Sequence, residues 1–437
     1  MKTIVAGAVI FIGLTMVSCK KDHDVVSYVV KNDTAANYAR DIYLWYNNIP
    51  PTFDAHTFTD PNAVMEGIRA FSAEPGFNMP VDRWSFAMLR SDWEKLSTGI
   101  GGDFGMNIFF LTDNDLRVSY VEPESPAGKA GIKRSWHIKQ VNGNPNINST
   151  HANEIIRAVY QSATGTFLFG RPNSADTTIT LRAASYREHP VLFDSIYTAG
   201  GHQTGYFVFN SFLGDTNEIK DEFTRIFDKF NEARVQDMVV DLRYNGGGYV
   251  AVQNLLANYL VPVAGNSDVM LTEEFNDRYR SLNVTQRFVK KGSLDLNRLF
   301  FIVSQNTASA SELLINSLIP YMEVHLVGPS HTHGKPVGFY PIGVYDWYIF
   351  PVSFRTVNKK GEGNYFNGLT LDHQVPDGLD KNWGDAGEGC LNAVLNYINS
   401  GNYARFGVTV EQRRRLSEEV LHTNALLGES KFKGMIP

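Results

Sequence analysis

Cysteine is almost missing from this chain of 437 residues, which has only Cys19 and Cys390. No disulfide framework is possible with that count, so a hydrophobic core has to hold the fold. Concentrated basic runs are also missing, and the net charge is −6. Both facts argue against a nucleic-acid-binding surface. The apolar run from Ile4 to Val17 is short for a stable membrane span. His331 and His333 have no third histidine or carboxylate nearby at metal spacing, so they read as loop histidines and no metal is implied. Gly246, Gly248 and Ala251 satisfy the spacing of a dinucleotide loop, but in mid-chain this is a weak match. A loop of backbone donors is the favoured reading, because glycine lets N–H groups approach a reacting oxygen closely. No cofactor is expected.

The composition is otherwise that of a globular chain with several domains: 43% hydrophobic, 20% charged and 12% aromatic. Met1-Lys2-Thr3, the apolar run and a small residue before Cys19 make a signal peptide. Met16-Val17-Ser18-Cys19 resembles a bacterial lipobox, which implies lipidation of Cys19 and a mature chain that starts there. Lys20 to Asp24 reads as a charged tether. Residues 20–96 form a mainly helical, aromatic module in which Ala39, Ile42, Tyr43 and Tyr46 share a face. No chemistry is recognisable in it.

The texture changes at Gly99. A glycine-rich loop, Gly99 to Gly105, leads into the hairpin segments Met106–Phe110 and Leu116–Val121. Ser125-Pro126-Ala127, Ala130-Gly131-Ile132 and the turn Val141-Asn142-Gly143 follow, then a helix from Thr150 to Tyr160. This order resembles a bacterial PDZ domain over residues 97–185. It departs where the usual Pro-Gly-Asp is replaced by Arg134-Ser135-Trp136-His137. The resemblance implies peptide binding by strand addition, with the loop at Gly101, Gly102 and Phe104 receiving a free carboxylate.

From residue 186 the chain turns α/β after a connecting stretch (Tyr186 to Gly201). A strand from Gly205, a helix with the stripe Ile219, Phe223, Ile226, Phe227 and Phe230, and the buried strand Asp237–Leu242 lead into Arg243-Tyr244-Asn245-Gly246-Gly247-Gly248. Leu299 to Ser304 is another buried strand, followed by Thr307-Ala308-Ser309-Ala310-Ser311-Glu312 and a helix. Ser309 then stands on a turn where the first helical N–H groups are unpaired and the helix dipole is positive. That placement suits a nucleophile and its oxyanion, and it equally suits a simple helix cap. Lys335, in a loop after the strand Val324–Gly328, is a general base if burial lowers its pKa and otherwise a solvated lysine.

Taken in order, Asp-Leu-Arg-x-Asn-Gly-Gly-Gly, Ser-Ala-Ser-Glu and Gly-Lys resemble the carboxyl-terminal processing (tail-specific) serine peptidases, in the form of PDZ-containing lipoproteins of Bacteroidetes. The resemblance implies an α/β multidomain chain: signal peptide 1–19, helical module 20–96, PDZ domain 97–185, crotonase-like α/β serine peptidase domain 186–400 and helical tail 401–437. It assigns Ser309 as nucleophile, Lys335 as base, and the N–H groups of Ala310 and Gly247 as the oxyanion hole. Pro336 and Phe339 stand where many members have glycine and a lysine-orienting glutamine. Val375-Pro376-Asp377 before a closing helix also fits the family, and Arg413–Arg415 among glutamates reads as a solvated helix face. The implied function is an envelope serine endopeptidase, lipid-anchored, acting on protein or peptide substrates with free C-termini. The alternative is an inactive peptide- or lipid-binding lipoprotein on the same fold.

Overall fold

The computed structural model describes residues 27–403, 417, 420–424 and 434–436. Cys19, the tether after it and Arg413–Arg415 lie outside the described residues.

A six-stranded sheet organises the second half of the chain. Its order is His373–Gln374, Glu323–Gly328, Arg298–Ile302, Val235–Asp241, His202–Phe209, Val191–Ala199. All neighbours are parallel except the last pair. Helices cover both faces, so the central strands are apolar on alternate residues toward each side. Met238, Val240, Leu299 and Phe301 pack in one cluster with residues of helices Thr216–Glu232, Val250–Leu260 and Ala310–Leu318. Val239, Phe300, Ile302 and Val327 pack with residues of Gly389–Ser400. Each fully buried large side chain contributes about 1.5–3 kcal/mol. Asp215 starts the first of these helices by accepting from the N–H groups of Asn217 and Glu218 at 2.9 and 3.2 Å.

The structure adds to three expectations. The stretch expected to be a connection contains the strand Val191–Ala199. It folds back on His202–Phe209 because Gly200 and Gly201 adopt φ of 59° and 81°, which a side chain would resist. The N-terminal module, expected to be mainly helical, has three α-helices and one strand among its described residues. Its strand Phe86–Leu89 pairs with Trp347–Phe350, and its core is continuous with Val337, Phe339 and Val352. In the tail expected to be helical, described residues 420–424 are helical and Gly434–Ile436 is a strand.

Between these parts lies a five-stranded antiparallel module, Met106–Thr112, Asp115–Val121, His137–Val141, Thr164–Gly170 and Thr177–Arg182. Its Asn142-Gly143 turn has positive φ at both residues (52° and 79°). Arg134, at the departure noted in the sequence, has a structural reason. Its buried guanidinium leaves the module to pair with Asp377 at 3.0 Å and to donate to Tyr244 Oη at 2.9 Å. It also lies 3.9 Å over the ring of Trp383.

Candidate active site

Adjacent strands Val235–Asp241 and Arg298–Ile302 end side by side, and the loops leaving their carboxyl ends carry Gly247 and Ser309. Side-chain hydroxyls stitch the two loops together. Thr307 Oγ1 donates to Leu242 O at 2.8 Å, Ser311 Oγ donates to Asn245 O at 3.1 Å, and Ser304 Oγ donates to Arg243 O. The Ala308 N–H donates to Asn245 O at 3.0 Å. These bonds hold Ser309 at φ 61°, ψ −112°, an unusual backbone for a residue with a side chain. Ser309 is fully buried, and its Oγ makes no hydrogen bond. Ala310 is the first residue of the helix, so its N–H has no intrahelical acceptor.

Glu312 links the serine turn to the lysine loop. Its carboxyl accepts from the N–H groups of Ser309 at 2.8 Å, Gly334 at 2.6 Å and Lys335 at 2.8 Å, and from Thr332 Oγ1 at 2.5 Å. Burial pushes the Glu312 carboxyl up, against the pull of those four donors. The spacing of Ser309 and Glu312 is that of a capping box, a signal by which sequence could have assigned Glu312 this role. His333 N–H adds a bond to Thr307 O at 2.9 Å.

Lys335 is fully buried, with Nζ 3.5 Å above the centroid of the Phe339 ring. Phe339 occupies the position at which many tail-specific peptidases have a glutamine. Burial lowers the Lys335 pKa well below its ordinary value, and the charges of Asp82 and Glu312 pull it back only in part. Asp82 belongs to the N-terminal module, in which the sequence showed no chemistry. It is fixed by Tyr43 Oη at 2.8 Å and Ser85 Oγ at 2.5 Å. The next residues also reach the lysine loop: Trp84 Nε1 donates to His333 Nε2 at 2.8 Å, and Arg83 donates to His333 O at 3.4 Å. His331 Nδ1 is 2.7 Å from Thr332 O. Among the described residues, no group of three or more His, Cys, Asp and Glu is placed to hold a metal ion.

Gly247 and Gly248 have φ of 101° and 141°. A Cβ on Gly247 would sit 2.4 Å from Gly434 O, 2.9 Å from Ala308 O and 3.0 Å from Ala310 N, so only glycine fits. Gly247 therefore lies beside Ala310, and its N–H is engaged by Asn245 Oδ1 at 2.9 Å.

The residues expected to dock a peptide end lie elsewhere. Gly101 pairs with Tyr186 in a two-stranded ribbon, Gly102 faces open space, and the Phe104 side chain is buried against Phe167. Asp103 accepts from the Gly105 N–H and Tyr186 Oη, both at 2.7 Å. A cleft separates this loop from Gly246 and Gly247, and Asp103, Glu122 and Glu188 line it. Burial and the neighbouring Asp103 raise the Glu188 pKa to about 7.

Residues 203–372, which contain Gly247, Ser309 and Lys335, match the model of peptidase family S41. Over this segment the chain is similar to that family. The chain is 24% identical over 328 residues to the carboxy-terminal processing protease CtpB of Bacillus subtilis, covering 70% of this chain and 64% of CtpB. It is also 24% identical over 267 residues to a CtpA-like serine protease of Staphylococcus saprophyticus, covering 59% of this chain and 50% of that protein. The chain thus spans less than two thirds of the length of these curated relatives. Among solved structures, an S41 protease from Bacteroides fragilis superposes with a TM-score of 0.67 at 24% identity, over 84% of this chain and 97% of that one. That likeness supports the S41 fold. Among the described residues, no helix is long and apolar enough to cross a membrane.

Proposed function

We propose that the chain is a serine endopeptidase that cuts protein substrates near their C-termini, with Ser309 as nucleophile and Lys335 as general base. One observation carries this reading. A serine hydroxyl without a hydrogen bond, on a strained turn at a helix N-terminus, shares the Glu312 scaffold with a lysine whose charge is suppressed by burial. A neutral amine is what a base needs near pH 7. Ser309 Oγ attacks the scissile carbonyl and Lys335 Nζ takes its proton. The Ala310 N–H stabilises the oxyanion, joined by the Gly247 N–H if Asn245 releases it. Lys335 then returns the proton to the leaving amine, and water hydrolyses the ester. The β-module over 97–185 acts as a PDZ domain that presents the substrate end.

A fluorophosphonate should form a covalent adduct on Ser309 after prolonged incubation, and none on Ser309→Ala. A folded chain that never labels, with or without residues 434–437, would leave peptide binding as the function.

The same reading makes the protein a lipoprotein of the bacterial envelope, anchored through Cys19. Cys19→Ala should move the protein to the soluble fraction or leave it unprocessed. Fractionation and maturation identical to wild type would sink the anchor.

A further inference from the structure

Ser309 and Lys335 are fully buried, although a peptidase has to admit a peptide to both. The far end of the chain lies against both sides of this site. Gly434–Ile436 runs parallel to Gly247–Tyr249, with Gly434 opposite Gly247, Met435 opposite Gly248 and Ile436 opposite Tyr249. The Gly434 N–H donates to Gly246 O at 3.1 Å. The strand is also a neighbour of Val337–Phe339, which follows Lys335 directly. Because the Cβ position of Gly247 is 2.4 Å from Gly434 O and 3.0 Å from Ala310 N, the Gly434 carbonyl lies close to the helix N-terminus that would hold an oxyanion. Met435 is fully buried in the core under the sheet, and Ile436 joins the cluster that holds Phe339.

A second contact of the same kind occurs in the β-module. Met106–Thr112 is an edge strand, the kind of edge to which a peptide adds. Two of its N–H groups are taken by side chains: Ile108 donates to Tyr160 Oη at 3.2 Å and Phe110 to Asn424 Oδ1 at 2.6 Å. Asn424 Nδ2 donates back to Phe110 O at 2.9 Å, so its amide imitates a pairing backbone. Val420, one turn earlier, is buried in the module's core.

We propose that residues 434–436 are an internal ligand of the active site. They form an extended strand seated between the glycine loop and the strand after Lys335, and they have to leave before a peptide enters. The proposal rests on the peptidase reading and deepens it. The position these residues occupy takes a peptide by strand addition, with a small residue against Gly247, a long flexible apolar one next and a branched apolar one after that.

The test compares the full chain, a chain ending at residue 433, and Gly434→Pro, which keeps the whole chain but removes the N–H given to Gly246. Both variants should label with fluorophosphonate about tenfold faster than wild type, since an occluded state lowers the reactive fraction. A peptide with the sequence of residues 431–437 should bind the shortened Ser309→Ala chain, a readout that needs no catalysis. It should also raise KM of the shortened active chain without changing kcat. Equal labelling rates in all three chains, with no peptide binding, would overturn the internal ligand and leave the peptidase reading intact. Peptide binding without labelling in any chain would do the reverse. A wild-type chain that sheds residues 435–437 on incubation would also overturn the proposal, because the strand would then be a substrate and not a cover.

Discussion

Ser309→Ala, Lys335→Ala and the double variant should lose peptide cleavage to the same extent, by about 10⁴-fold or more, because nucleophile and base act as a unit. The Lys335 arm carries a pH signature. Burial holds its pKa well below the ordinary value, so the neutral, proton-accepting form grows as pH rises through that lowered pKa. Single-turnover cleavage should therefore climb with pH and then level off. Stability should show the same lysine with a definite sign. Between the folded pKa and the unfolded value of about 10.4, the unfolded chain binds a proton that the folded chain does not. Wild type should lose stability as pH falls through that window and lose nothing further from this group below it. Lys335→Met, measured by urea unfolding, should remove that slope. A histidine base predicts otherwise. His333→Ala would then abolish turnover while Lys335→Ala kept much of it, and that result would end the Ser309/Lys335 assignment. The structure already gives His333 another task, since its Nε2 accepts from Trp84.

Legibility in the sequence followed locality. The apolar runs that became the central strands, the stripe Ile219 to Phe230 and the turn Asn142-Gly143 are patterns within a few residues, and each reads correctly. The site was half legible for the same reason. Ser309 stands at a strand-to-helix junction that sequence can locate, and Lys335 was placed by family resemblance. The partners that come from distant chain were not legible. Asp82 acts on Lys335 from the N-terminal module, and nothing local distinguishes it from a surface aspartate. Gly434–Ile436 is three residues long, too short for alternation to announce a strand, and its pairing partner is Gly247–Tyr249. Glu312 belongs to a sequence motif, but its bonds to Gly334 and Lys335 depend on a loop more than twenty residues away. Val375-Pro376-Asp377 was a matched turn without a reason. The structure supplies one, because Asp377 receives Arg243, Arg134 and Tyr244.

That cluster yields the second large effect. Arg243 is fully buried and pairs with Asp241 at 2.6 Å, Asp377 at 2.8 Å and Glu388 at 2.8 Å. Arg243→Met should destabilise the chain by about 3–5 kcal/mol at neutral pH, because removing one partner strands buried carboxylates without a counter-charge. Burial alone would raise the Glu388 pKa, but Arg243 overrides it and holds that carboxyl at about 2. A carboxyl depressed in this way adds stability above its unfolded pKa of about 4.3, and the contribution is lost as pH falls toward 2. In the variant the same carboxyls should protonate at higher pH and stop opposing folding once they do. The gap between wild type and variant should thus shrink from pH 7 to pH 4, as read from denaturant midpoints. A gap below about 1 kcal/mol at pH 7, or one that stays constant with pH, would show that the buried charges are not what holds this corner. The consequence reaches the chemistry through the backbone. Ser304 Oγ donates to Arg243 O, and Asn245, two residues on, supplies the acceptors for Ala308 N–H, Ser311 Oγ and Gly247 N–H. Loosening Arg243 therefore frees the two loops that position Ser309 and Gly247, and kcat should fall with little change in KM even where the variant remains folded.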